Sequence, residues 1–170
     1  MFEPCVLGVD PGVAATGIAA VGRRERHAEL LWADTIRTPS DLAEAVRLRF
    51  IHDHVRQAIA AHRPSSVAIE RVAWNKNHAS ALRVARATGA IMLAAAEAGL
   101  AVEEYGPLEV KLAITGSGSA DKAQVRDALS RLHGLAEVPT QPDAADAVAI
   151  ALCHLTQDRL RRAARAVALR

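Results

Sequence analysis

Two apolar runs in this chain each stop on an acid: Val6-Leu7-Gly8-Val9 on Asp10, and Val67-Ala68-Ile69 on Glu70. Far downstream, Asp143 and Asp146 stand three apart in Pro142-Asp143-Ala144-Ala145-Asp146. An acid that ends a strand sits at the rim of its sheet, and acids at i and i+3 share one helix face. A fold that sets the two strands side by side and lays the helix across them gathers four carboxylates at one point. Like charges so gathered repel unless a cation lies between them, and hard divalent ions such as Mg2+ take oxygen ligands. A pair of such ions can clamp a phosphodiester during in-line attack by water, so the pattern points to metal-dependent phosphoryl transfer.

Each acid also has a purely structural reading. Asp10-Pro11-Gly12 is good turn chemistry, with Gly12 free to take a positive φ. Asp143 suits a helix start, because Thr140-Gln141-Pro142-Asp143 places Pro near the first helical position and negative charge at the positive end of the dipole. Asp146 is harder to assign to solvent. It lies at the edge of the apolar stripe Ala144, Val148, Ala151, Leu152 and Leu155, which points it toward packing.

The spacing predicts strands over residues 5–10, 16–21 and 30–37, joined by short links as an antiparallel meander. Thr38-Pro39-Ser40-Asp41 reads as the start of a helix that continues through Leu48, Ile51, Val55, Ala58 and Ile59 to about residue 62, where Arg63-Pro64 stops it. A strand over 66–70 follows, parallel to the first by a right-handed crossover, which sets Glu70 beside Asp10 at the carboxyl rim of an open sheet. A helix capped by Asn77 runs to about residue 98, with Leu82, Ala85, Gly89, Met92 and Ala96 as its expected inner stripe. Then come a strand over 100–105, a helix over 107–114, a Gly/Ser loop over 115–119 and a helix over 120–133 with Ser119 as its expected cap. The order βββαβαβααα is the ribonuclease H-like plan, an α/β fold whose five-stranded mixed sheet is flanked by helices.

Composition suits one such domain. The 170 residues are 51% hydrophobic, spread in periodic segments. No apolar run is read as long enough to span a bilayer and no signal peptide is recognised, so a cytoplasmic protein without a membrane partner is expected. Cys5 and Cys153 fall inside a strand pattern and a helix pattern, as reduced core thiols do. The net charge is only +2, but Arg159, Arg161, Arg162, Arg165 and Arg170 stand with no acid among them. The expected division is a ribonuclease H-like domain over 1–156 and a basic C-terminal tail over 157–170.

The segments Gly8-Val9-Asp10-Pro11-Gly12, Ala68-Ile69-Glu70-Arg71-Val72, Val110-Lys111, Gly118-Ser119-Ala120-Asp121-Lys122 and Asp143-Ala144-Ala145-Asp146-Ala147 occur in the order and spacing of the RuvC family, the bacterial Holliday junction resolvases. The chain resembles that family from about residue 5 to residue 156. The resemblance implies a Mg2+-dependent homodimeric endonuclease that binds four-way DNA junctions and makes two symmetric nicks, in recombination and repair, alongside a branch-migration complex of RuvA- and RuvB-type proteins. It makes Asp10, Glu70, Asp143 and Asp146 the catalytic metal ligands, and Lys111 and Lys122 the basic residues near the scissile phosphate. The position matching Asp143 is a histidine in some members.

One departure stands out. The family usually has an aromatic three residues after the strand glutamate, thought to stack on an unpaired base; here that position is Ala73 and the ring comes one later, as Trp74. In a chain only 3% aromatic, a tryptophan flanked by Arg71 and Lys76 suits either a grip on unpaired DNA or packing on its own domain. Lys122 falls in a first helical turn, where a cation opposes the dipole, which favours a phosphate-facing role. The loop at 115–119 lacks the lysine spacing of a nucleotide-binding P-loop. Histidines such as His52, His54 and His78 have no mutual metal-ligand spacing and read as surface residues.

Two other classes compete. An actin-like or sugar-kinase phosphotransferase also carries a strand-end Asp and glycine turn, but it needs a second such hairpin, which is missing. A non-catalytic junction-binding scaffold would tolerate loss of an acid, and all four are present. The expected chemistry is hydrolysis with two Mg2+ per site, for which Mn2+ substitutes: Asp10 bridges, Glu70 and Asp146 hold one ion each, Asp143 completes the second site and Lys122 offsets phosphate charge. A two-fold junction calls for a C2 dimer, and the helix over 79–98, with Gly89, Ala90 and Ala94, is the expected interface.

Overall fold

The computed structural model describes residues 5–24, 27–72 and 78–168. Strands β1 (Val6–Asp10), β2 (Ala15–Arg24) and β3 (His27–Arg37) form an antiparallel meander. Helix α1 (Glu44–His62) crosses back to β4 (Ser66–Glu70), which pairs parallel to β1, and α2 (His78–Glu97) crosses to β5 (Ala101–Tyr105), parallel to β4. Helices α3 (Pro107–Thr115), α4 (Lys122–Arg131) and α5 (Pro142–Ala168) complete the chain. The sheet order is β3-β2-β1-β4-β5, so the expected five-stranded mixed sheet is present, with β1 and β4 at its centre.

Each strand sends alternate side chains to opposite faces. Leu7, Val9, Ile18, Val67 and Ile69 pack under α1 and α2 with Ile51, Val55 and Ile91. Val6, Ala19, Ala68 and Tyr105 face the other way, against Val110 of α3, Leu129 of α4 and the buried run of α5 from Ala147 to Leu152. All five positions of the expected α5 stripe, Ala144, Val148, Ala151, Leu152 and Leu155, are buried. The basic segment continues α5 in helical form as far as Ala168.

Four local expectations are corrected. Thr38 does not start α1: the helix begins at Glu44, while the Thr38 hydroxyl donates to the Val13 carbonyl and accepts from Arg47 Nε at 2.8 Å. Helix α4 is capped by Asp121 rather than Ser119; the Asp121 carboxylate accepts from Gln124 N at 2.8 Å, and Gln124 Oε1 accepts from Asp121 N at 2.9 Å. The buried face of α2 is Ala81, Ala87, Thr88, Ile91, Ala94 and Ala95, so the expected inner stripe is displaced and Leu82 and Gly89 point outward. Helix α2, with 20 residues and a window hydropathy of 1.2, is also long and apolar enough to cross a membrane by length and composition alone; here its apolar face packs on the sheet and α1. The caps at Asn77 and the segment 73–77 lie outside the described residues.

Candidate active site

Strand alternation decides which face the acids take. In β1, Val6 and Gly8 face α5, so Asp10 does too; in β4, Ala68 faces α5, so Glu70 follows. The pairing Val9↔Ile69 then sets Asp10 and Glu70 side by side at the strand ends. Helix α5 comes down onto the same face, and it lies unusually close. A Cβ added at Gly8 would collide with the Ala147 carbonyl and Ala151, and one added at Gly17, the partner of Asp10 across β1–β2, would collide with the Asp143 carbonyl. Two glycines therefore let the first turns of α5 sit against the sheet rim, which brings Asp143 and Asp146 to Asp10 and Glu70.

Asp10, Glu70 and Asp146 line one cavity of about 310 Å³, closed on its other side by α3 and α4 through Pro107, Lys111 and Lys122. Burial, followed by the charges of Glu70, Asp146 and Asp143 and a hydrogen bond shared with Glu70, pushes the Asp10 carboxyl up to about 8. Glu70 is also raised, by burial first and then by Asp146, although Asp10, Lys122 and Lys111 pull it back. Asp143 does not line the cavity, but its charge reaches Asp10.

The Lys122 ammonium donates to Asp146 Oδ2 at 2.7 Å, and this bond is the main reason its own pKa rises. The shorter α4 makes Lys122 its first residue, held at the cleft by the Asp121 cap. Lys111 lines the same cavity from α3. Arg71 is turned partly to its own scaffold: its guanidinium donates to the Glu104 carbonyl at 3.1 Å and lies 3.7 Å from Glu109, whose carboxylate accepts from Gly106 N at the start of α3. Trp74 and Lys76 lie outside the described residues.

Sequence reasoning missed two groups. His154 is buried, with Tyr105 Oη at 2.9 Å from Nδ1 and Ser66 Oγ at 3.1 Å from Nε2, which ties β4 and β5 to α5 behind the acids. Its place on the helix face that carries Ala147 and Ala151 was the available signal. Arg47 of α1 reaches the loop after Asp10 and donates to Thr38 Oγ1 and, at 3.3 Å, to the Val13 carbonyl. Both cysteines are free thiols, Cys153 buried and pushed up to about 12 by burial.

The donor set fits a hard divalent ion. Four carboxylates supply oxygen only, and the upward push on the Asp10 carboxyl, from burial and then from its acidic neighbours, marks a place where negative charge accumulates and a cation would offset it. Among the described residues, no three acidic, histidine or cysteine side chains close on a single point.

The family model for crossover junction endodeoxyribonuclease RuvC matches residues 6–154. The chain is 45% identical over 166 residues to the protein of that name from Mycobacterium avium, covering 96% of this chain and 88% of the relative. It is 39% identical over 155 residues to the one from Syntrophomonas wolfei, covering 91% and 90%. Among solved structures, Thermus thermophilus RuvC in complex with a Holliday junction substrate superposes with a TM-score of 0.87 at 35% identity, covering 92% of this chain and 96% of the other.

Proposed function

We propose, from the premise that this chain belongs to the RuvC family of crossover junction endodeoxyribonucleases, that its carboxylate cleft cuts four-way DNA junctions by hydrolysis. The chain is a divalent-metal-dependent endonuclease of Holliday junctions, acting in DNA recombination and repair. The observation that carries the finer reading is the single cavity lined by Asp10, Glu70 and Asp146 together with Lys111 and Lys122.

In that reading Asp10, Glu70, Asp143 and Asp146 hold Mg2+, two ions per site, with Mn2+ as a substitute. When bound, the ions supply a water of lowered pKa and charge stabilisation for the leaving oxygen. Asp10, whose carboxyl is pushed up first by burial and then by its acidic neighbours, would bind the ion as the carboxylate. Lys122, already at the mouth of the cleft, offsets charge on the phosphate, and Lys111 steers the strand from the α3 side. Trp74, with Arg71 and Lys76 nearby in sequence, is the candidate for stacking on a base freed at the crossover.

A homodimer is part of the same reading, since a two-fold junction is matched by two symmetry-related sites. Leu82 and Leu93 on α2, and Val46 and Phe50 on α1, are exposed apolar side chains, and the space over Gly89 is open, which supports α2 as the seam. Ala94 is buried in its own domain and takes no part, which narrows the expected close approach to Gly89 and Ala90. RuvA- and RuvB-type branch-migration proteins are the proposed partners, and the cytoplasm, where the DNA is, the proposed location. Incubating the protein with labelled four-way junction and matched duplex in Mg2+ tests the reading: paired nicks in the junction alone support it, and equal cutting of both substrates refutes it.

A further inference from the structure

The catalytic cleft does not end at Glu70. That residue also lines a second hollow, of about 180 Å³, with Pro11, Arg71 and Ser80. Ser80 and Val84 in turn line a third, of about 480 Å³, formed by the loop from Gly12 to Ala15, Ser40, Arg47 and Arg83. Glu70 is common to the first two hollows and Ser80 and Val84 to the second and third, so they follow one another in a row, with Lys111 and Lys122 lining the first and Arg47 and Arg83 the last.

The charge of the third hollow is unbalanced. Other arginines of α1 and α2 have acid partners: Arg49 pairs with Asp53, Arg56 with Glu97 and Arg86 with Glu44. Among the described residues Arg47 and Arg83 have none within 4.0 Å, and no acid lines the hollow. Arg47 is also fixed in place. Its half-buried guanidinium is held by Thr38 Oγ1 at 2.8 Å, the Val13 carbonyl at 3.3 Å and the Thr38 carbonyl at 3.4 Å, all neutral acceptors. A guanidinium taken partly out of water and anchored without a carboxylate is a preorganised anion receptor, since its ordering cost is already met and its charge is uncompensated. Ser80, in the first turn of α2, adds the positive end of a 20-residue helix.

We propose that Arg47 and Arg83 form a second backbone-phosphate subsite, which holds the cut strand at the other end of this row from Lys111 and Lys122. The proposal rests on the nuclease reading. Cationic anchors at the two ends of the row carry the strand across a cluster that repels it, and set the scissile phosphate by tension between them. The contact is to phosphate, so it weakens binding uniformly across sequences when lost and leaves cleavage preference unchanged.

The test is junction affinity measured against salt concentration in Ca2+, for wild type, Arg83→Gln, Arg47→Gln and the control Arg49→Gln, with melting curves on each. Because each neutralised phosphate contributes about 0.9 to the slope of log K on log salt, Arg83→Gln should lower that slope by about one and weaken affinity several-fold, while Arg49→Gln moves neither. Arg47 also braces the loop after Asp10, so the exposed Arg83 decides the matter. A folded Arg83→Gln protein with an unaltered slope overturns the subsite and leaves the nuclease reading standing. A wild-type protein with no preference for junctions over duplex overturns that reading, and the subsite's ligand with it.

Discussion

Lys122 Nζ lies 2.7 Å from Asp146 Oδ2, so the first residue of α4 is tied to α5 across the mouth of the cleft. The lysine side chain is 77% exposed, and exposed ion pairs contribute about 0–1 kcal/mol, so stability is not what this pair is for. Lys122→Gln should leave the melting temperature within a degree or two, keep its rise on adding Mg2+, and slow junction cleavage by about 10²–10³-fold, the scale of losing one transition-state charge donor. Single-turnover cleavage alongside thermal melts checks this. A melting point that collapses while cleavage survives contradicts the assigned role.

The raised Asp10 carboxyl makes stability depend on pH in a defined direction. Its ordinary value is 3.8 and its folded value about 8, so between those limits the folded chain holds a proton that the unfolded chain has released. Stability therefore falls as pH rises through that window, the opposite of a salt-bridged carboxylate. In chelator, the melting temperature of Asp10→Asn should exceed that of wild type by a margin that grows from about pH 4 to about pH 8. Divalent ions should stabilise wild type more at the upper end, and a margin that shrinks over the same range is the contrary result.

Gly8 and Gly17 let α5 approach the sheet. Gly8→Ala and Gly17→Ala should each destabilise by about 1–3 kcal/mol or more, because the neighbouring atoms are backbone carbonyls of α5 that cannot turn aside. Denaturant unfolding measures this. Even where the protein still folds, Gly17→Ala should cut cleavage strongly, since relief of the collision moves Asp143.

Strand alternation explains why much of the site could be read from residues alone. Asp10 and Glu70 each end a run whose parity and parallel pairing fix their face, and the α5 stripe fixes the side on which Asp143 and Asp146 arrive. Helix α2 defeated the same logic because its apolar residues spread beyond the buried face: Leu82 and Leu93 lie exposed beside Arg83, Arg86 and Glu97, so the apolar arc was wider than the face that packs and its centre was misplaced. Thr38 and Ser119 are good caps by chemistry, but Thr38 is bonded to Val13 and Asp121 forms the full capping box two residues later. Arg47 and His154 escaped notice because each acts through a partner far away in sequence.

Trp74 separates stacking from packing. If its ring grips a freed base, Trp74→Ala should cost about 1–3 kcal/mol of junction affinity or of the barrier to cutting, with little change in melting. A core tryptophan would instead cost about 3–5 kcal/mol of folding stability. Both quantities measured on one variant decide between them.

The most direct test is Glu70→Gln, which keeps the side chain's size and removes the charge of a proposed metal ligand that lines both the carboxylate cavity and the neighbouring hollow. With four-way junction bound to saturation, the variant should fold, bind the junction as tightly as wild type in Ca2+, and lose cleavage in Mg2+ by several orders of magnitude. Cleavage at the wild-type rate by a folded Glu70→Gln protein would contradict the carboxylate-held metal site on which the whole account rests.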